Sequence, residues 1–357
     1  MARVAFVQNI AFEYLGVMFL SAMLKKHGHV VEMFIPGDED RACREIEAFR
    51  PDIIGFPCTT GAHIWALKFA ARVKERTGAL TVFGGAHATY FPALIDEPPV
   101  DVICRSEGEY ALLEIADKHD RGEDFSGTLN CWAKKDGQVV RNGQRPLVED
   151  LDELPFPDRE LYSKKYPFLD RSQKAFIGGR GCPFDCTFCF NHALIKLYQG
   201  KGKAVRYRSV ANLIAEIKEV KRRYKLRTVY MQDDTFILNK KWFAEFVRVY
   251  PKEVGLPFVC LIRADLADEE TIRGLAEAGC KNVFFGVETG GEDLRNSLLK
   301  KKVTDDEIKK VAGLLKKYRI RFRTYNILGL PGETFDDALR TVEINAEIGT
   351  DYPWCAL

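Results

Sequence analysis

The chain has 357 residues, 46% of them hydrophobic and 29% charged, with a formal net charge of +2. That length allows two sizeable cores, and so slight a charge, with no block of Lys and Arg, makes no electrostatic case for a nucleic-acid partner. No apolar run reaches the roughly 18 residues of a membrane span. The first nine residues lack a signal-peptide pattern, and ten cysteines without a secretion signal fit a cytoplasmic metal site better than a disulfide framework.

Residues 1–145 alternate short apolar runs with amphipathic ones, which predicts a parallel sheet with helices on both faces. Strands are expected at residues 4–8, 30–35, 52–56, 80–83 and 100–104, and helices at 14–26, 38–49, 65–74 and 107–116. The order is flavodoxin-like, and such sheets bind ligands beyond the carboxyl ends of their strands. Cys58, Thr59, Thr60 and Gly61 follow the third strand, and Gly84, Gly85, His87 and Thr89 follow the fourth. Paired glycines let backbone approach a ligand closely, and the hydroxyls can hydrogen-bond phosphate or amide groups. Residues 130–145 read as a hairpin turning at Asp136-Gly137. A proline- and charge-rich stretch containing Leu154-Pro155-Phe156-Pro157-Asp158 then reads as an irregular connector over 146–170.

An apolar run at 174–177 leads into Gly178-Gly179-Arg180-Gly181-Cys182-Pro183-Phe184-Asp185-Cys186-Thr187-Phe188-Cys189, a C-x3-C-x2-C spacing. Iron–sulfur clusters are held by cysteine thiolates and a complete set needs four, so three leave one iron open to a substrate or cofactor. Structural zinc needs a second pair of ligands, and none follows at the expected distance. Strands are expected again at 228–231, 258–262, 283–287 and 323–328, and helices at 210–224, 241–249, 269–278, 305–317 and 335–348. This is a parallel β/α barrel pattern, whose chemistry sits at the carboxyl ends of the strands. Gln232, Asp233 and Asp234 follow one such end, Arg263 the next, Glu288 the next, and Gly329 to Thr334 the last. The bland readings are that Asp233-Asp234 and Asp305-Asp306 cap helices, and that Lys300-Lys301-Lys302 is a solvated helix end.

The cysteine stretch resembles the radical S-adenosylmethionine (SAM) enzymes. That resemblance implies a 4Fe–4S cluster on Cys182, Cys186 and Cys189, with SAM on the fourth iron and Phe188 beside the adenine. It implies that Gln232, Asp233 and Asp234 border the SAM methionine. Arg263 and Glu288 match positions that contact its carboxylate, amine or ribose. Residues 1–145, including the Lys26-His27-Gly28-His29-Val30 step, resemble the cobalamin-binding domain found before the barrel in one large class of these enzymes. Thr59, Thr60, Gly84 and Gly85 are then implied along the corrin nucleotide tail, with His87 the histidine best suited to the ligand side. Many such domains carry D-x-H-x-x-G after the first strand, whose histidine ligates cobalt. The loop here, Gln8-Asn9-Ile10-Ala11-Phe12-Glu13-Tyr14-Leu15-Gly16, has neither the Asp nor the His, so cobalamin is expected without a protein histidine ligand.

The expected fold is thus α/β: a flavodoxin-like (Rossmann-type) cobalamin-binding domain over 1–145, a linker over 146–173 and a partial (β/α)6 radical SAM barrel over 174–357. The chain stops at the start of a sixth barrel strand and is expected to be truncated, its C-terminal domain missing. The resemblance implies reductive SAM cleavage to a 5′-deoxyadenosyl radical and methylation of an unactivated carbon through methylcobalamin. It also implies a small-molecule or peptide substrate and an external electron donor of the flavodoxin or ferredoxin type. One alternative is a cobalamin-dependent cyclase or rearrangement enzyme of the anaerobic tetrapyrrole kind. Another is a non-catalytic module, which needs a fourth cysteine from Cys58, Cys104, Cys260 or Cys280. A tRNA methylthiotransferase would need three more cluster cysteines and a basic tail, and neither is present.

Overall fold

In the computed structural model, which describes residues 1–357, the chain folds as two units. Met1–Val148, Glu153–Asp170 and Leu197–Gly202 form the first; Glu149–Asp152, Arg171–Lys196 and Lys203–Leu357 form the second.

Seven strands make the sheet of the first unit: β1 (Arg3–Val7), β2 (Val30–Phe34), β3 (Ile53–Pro57), β4 (Leu80–Gly84), β5 (Val102–Cys104), β6 (Cys131–Lys135) and β7 (Gln138–Arg141). Their spatial order is β2-β1-β3-β4-β5-β6-β7, with the first five parallel and the hairpin β6–β7 added antiparallel at the edge. Strands covered on both faces read as continuous apolar runs, and Val4, Ala5, Ile53, Ile54 and Phe83 are fully buried. Helices Leu15–Lys26, Glu39–Phe49, Ala62–Thr77 and Glu109–Asp120 supply the cover. Glu39–Phe49 starts where Asp38 Oδ1 accepts from the Arg41 amide at 3.0 Å, a side-chain cap that meets one of the orphan donors of a helix start. The stretch 153–170 is irregular yet folded onto this unit. Tyr162, with no exposed surface, donates its hydroxyl to Gln8 Oε1 at 2.7 Å, and Ser21 donates to Asp158 at 2.6 Å.

The second unit carries six parallel strands, β8 (Gln173–Phe176), β11 (Thr228–Met231), β12 (Phe258–Leu261), β13 (Cys280–Glu288), β14 (Arg321–Ile327) and β15 (Tyr352–Ala356), ordered β15-β14-β13-β12-β11-β8. The order follows the chain, and the sheet is open at β8 and β15, as in a partial (β/α)6 barrel. Helices Val210–Arg223, Lys240–Glu253, Glu269–Glu277, Asp305–Lys317 and Phe335–Glu347 intervene. Their apolar faces join Phe236, Trp242, Phe246, Tyr250 and Phe258 in one buried core. Asp305 and Asp306 do not cap the fourth of these helices: Thr304 does, in a capping box with Glu307. Likewise Asn239, not Asp233 or Asp234, caps Lys240–Glu253. One small antiparallel pair escapes the periodicity of the sequence, β9 (Gly179–Arg180) with β10 (Arg206–Tyr207). It straddles the cysteine stretch in sequence and ties down its start.

Candidate active site

The cysteine loop leaves β8 through Gly178 and Gly179. Gly178 N–H donates to both carboxylate oxygens of Asp233 at 3.1 Å, and Gly179 N–H donates at 2.6 Å. Asp233 is 3% exposed, and burial pushes its carboxyl up to about 7 despite these two amides. It therefore positions the start of the loop. Gly181 has φ +90, and a Cβ there would fall 2.1 Å from the Ala204 carbonyl oxygen. No side chain fits at that turn. Asp234 is exposed but hemmed in; its carboxyl is raised by desolvation, while the Asn191 side chain and the Gly181 amide counter that shift.

Cys186 is buried; Cys182 and Cys189 are partly exposed. Burial pushes the thiols of Cys182 and Cys189 up, the Phe184 and Asn191 amides pull them down, and Asp234 raises both. Arg263, 7% exposed beyond the end of β12, reaches into the loop. Its Nη1 donates to Cys186 Sγ at 3.5 Å, its Nη2 to the Lys301 carbonyl at 2.7 Å, and its Nε and Nη2 to Asp265 at 3.0 Å. The guanidinium also lies 3.6 Å over the Phe184 ring. Through these donors Arg263 holds the cysteine loop.

Glu288 sits at the end of β13, where pairing with β14 shifts register between Gly286 and Glu288. Its φ of +66 is a sparsely populated conformation for a residue with a Cβ, of the kind that collects at functional sites. Its carboxylate pairs with Lys301 Nζ, which also lies 5.8 Å over the Phe188 ring. Both partners of this ion pair are buried. Lys301 is thus no solvated helix end. Lys300 and Lys302, with φ of +50 and +55, turn it inward. Arg295, fully buried, fastens the loop after Glu288 by donating to the carbonyls of Val287, Thr289 and Val303 and to Asp305. Phe188 and Phe190 are 43% and 52% exposed at the mouth, and the Gln232 side chain is half-buried at the end of β11.

In the first unit, Thr59, Thr60 and Gly85 are exposed at the carboxyl ends of β3 and β4, with Gly84 half-buried between them. Gly85 has φ +94, and a Cβ there would lie 2.8 Å from the Cys58 carbonyl oxygen. Thr60 Oγ1 meets His87 Nδ1 at 3.1 Å, and His87 is 8% exposed and stacks on His63 at 3.7 Å between ring centroids. Desolvation first, then His63, lowers the His87 pKa, so the ring stays neutral near pH 7. After β1, Gln8 Nε2 donates to the carbonyls of Ile10 and Phe12 at 2.6 and 2.7 Å. That loop presents Ile10 and Phe12 to solvent at 44% and 46% exposure.

Residues 176–344 match the radical SAM superfamily, and residues 11–116 match the B12 binding domain. The chain is a cobalamin-dependent radical SAM enzyme. An uncharacterised methyltransferase of Pyrococcus horikoshii is 28% identical over 347 residues, 95% of this chain and 74% of that protein. The anaerobic magnesium-protoporphyrin IX monomethyl ester cyclase of Rubrivivax gelatinosus is 27% identical over 354 residues, 94% of this chain and 62% of that protein. The radical SAM methyltransferase TsrM of Kitasatospora setae, solved with tryptophan and a SAM analogue, superposes with a TM-score of 0.80 at 19% identity, over 100% of this chain and 73% of that one.

The cofactors of this radical SAM enzyme are a 4Fe–4S cluster, SAM and cobalamin, and its residues fit them. Three cysteines on one loop, fixed by Asp233 and Arg263, suit a cubane, which takes each thiolate on a separate iron. Cys260 and Cys280 are buried against each other in the core of the second unit, away from the cysteine set. The exposed hydroxyls and the Gly85 cradle suit a polar tail approaching the strand ends. No helix is long and apolar enough to cross a membrane.

Proposed function

We propose that this enzyme methylates an unactivated carbon of a small organic or peptide substrate, in the cytoplasm and with a flavodoxin- or ferredoxin-type electron donor. The observation that carries this reading is the three-cysteine loop, fixed by Asp233 from behind and by Arg263 from the side, at the carboxyl ends of six parallel strands. When bound, the cluster and SAM supply a carbon-centred radical and cobalamin a methyl group; the protein's part is positioning and exclusion of water.

Cys182, Cys186 and Cys189 would hold the cluster, with the Arg263 N–H on Cys186 Sγ tuning it, since hydrogen bonds to the sulfurs shift the potential of such centres. Phe188 offers a flat exposed face for the adenine. Asp234, Gln232 and Glu288 offer polar groups around the SAM methionine and ribose. In the first unit, Thr59, Thr60, Gly84 and Gly85 would lie along the cobalamin tail, with His87 kept neutral to accept or donate one hydrogen bond there.

Anaerobic reconstitution with SAM, a low-potential reductant and methylcobalamin tests the reading. Both 5′-deoxyadenosine and S-adenosylhomocysteine are expected, and both should vanish in Cys186→Ala. Deoxyadenosine without S-adenosylhomocysteine would replace methyl transfer by the cyclase or rearrangement reading, which the Rubrivivax gelatinosus relative keeps in view.

A further inference from the structure

Inside the sheet of the second unit, alternate residues of neighbouring strands share one face. Tyr230 on β11, Phe284 on β13, Tyr325 on β14 and Trp354 on β15 form a continuous edge-to-face run. Their ring centroids are 5.9, 6.1 and 5.6 Å apart, and every ring retains solvent exposure. Arg323 stands in the middle of this aromatic wall, paired in register with Phe284 on one side and Tyr352 on the other. Its guanidinium lies 4.7 Å over the Phe284 ring and 4.6 Å over the Tyr352 ring. Its Nε is buried and has no hydrogen-bond partner. Glu288, the carboxylate at the upper end of the same strands, is taken by Lys301. Arg263 and Arg295 of the same unit have acceptors: Arg263 has Asp265, Arg295 has Asp305 and three carbonyls.

A buried donor left unmet is unfavourable, and a guanidinium fork matches a planar or tetrahedral oxyanion in a way a lone ammonium does not. The Tyr230 ring, next in the wall to Phe284, adds apolar surface on the same face. Contact with the Phe284 and Tyr352 rings restrains the guanidinium before a ligand arrives.

We infer that Arg323, flanked by Phe284 and Tyr352, is an anion-recognition subsite, and that the substrate is an apolar or aromatic body carrying a carboxylate, phosphate or phosphonate. This rests on the proposed function only in calling the ligand the substrate; the subsite itself is a binding claim. The aromatic wall takes the body of the ligand and Arg323 its charge. Specificity then follows from the pairing, because an uncharged analogue leaves the guanidinium edge unmet.

The test is equilibrium binding by calorimetry to the cluster-reconstituted chain, with benzoate, phenylphosphonate and benzamide as probes. Benzoate or phenylphosphonate should bind at least ten-fold tighter than benzamide, and whichever is tighter identifies the oxyanion. Arg323→Gln should erase that preference and Arg323→Lys should keep part of it. If Arg323→Gln does not fold, benzoate should slow phenylglyoxal modification of Arg323 in the unaltered protein, read by peptide mass, and benzamide should not. Equal binding of charged and uncharged probes, no binding of either, or an undiminished preference in Arg323→Gln would each overturn the inference. Because no turnover is measured, its failure is separate from a failure of methyl transfer, which S-adenosylhomocysteine alone reports.

Discussion

Asp233 shows how much one side chain can decide. Its carboxylate, held at about 7 by burial against an ordinary value of 3.8, keeps in the folded protein a proton that the unfolded chain has already released. Between about pH 4 and pH 7 the folded state therefore binds more protons, so stability must fall as the pH rises through that window and level off above it. The full swing is on the order of 4 kcal/mol, three pKa units at about 1.4 kcal/mol each. Asp233→Asn cannot lose that proton, so urea unfolding of the cluster-free chain should show a flatter pH profile than the parent. The variant should also lose about 1–3 kcal/mol, because its Nδ2, standing where Oδ2 accepts from Gly178, turns a donor toward that amide, and it should retain less iron after reconstitution. Equal pH profiles would mean that Asp233 is not what titrates. At this scale the three cysteines were legible because their spacing is local. The job of Asp233 was not, because its partners lie 55 and 54 residues away in the chain. Lys301, Arg295 and Arg323 were hidden for the same reason: charge in a sequence reads as surface until the fold turns it inward.

At the scale of elements, the strand ends carry the chemistry, and β13 is the most constrained of them. Its end holds the left-handed Glu288 against Lys301, a buried ion pair whose two halves behave very differently when removed singly or together. Glu288→Gln should cost about 3–5 kcal/mol by leaving the Lys301 charge uncompensated. Glu288→Gln with Lys301→Met should cost clearly less than the sum of the two single changes, measured by chemical unfolding as a double-mutant cycle. Strictly additive losses would mean that the pair is not coupled. The loop after β1 argues a second case. Gln8 binds the carbonyls of Ile10 and Phe12, and the loop offers apolar side chains where a cobalt-ligating histidine is common. The Co(II) electron paramagnetic resonance spectrum of the cobalamin-loaded protein should therefore lack nitrogen superhyperfine splitting from an imidazole. A resolved imidazole splitting would point to His63 or His87 instead. Strands and helices were legible almost throughout because period 2 and period 3.6 survive in apolar patterning. The β9–β10 pair was not, since two residues carry no period.

For the whole molecule, the pattern of separate cores sets what should fail together. The buried cluster of the first unit runs from Ala5 to Ile103 and that of the second from Phe176 to Ile348, with no residue in common. Folding of the flavodoxin-like sheet therefore needs no residue of the cysteine loop, and the loop is held by groups of its own unit, Asp233 and Arg263. Replacing Cys182, Cys186 and Cys189 together by alanine should abolish iron binding and leave cobalamin binding at the parent stoichiometry. Gel filtration followed by visible absorption of the bound cobalamin measures this directly. None of the three cysteines belongs to the main core cluster and only Cys186 is buried, so the triple variant should also unfold within about 1–2 kcal/mol of the cluster-free parent. Loss of cobalamin along with the cluster would mean that the loop has to be in place before the first unit can bind its cofactor, and the two domains would then have to be treated as one cooperative binding site.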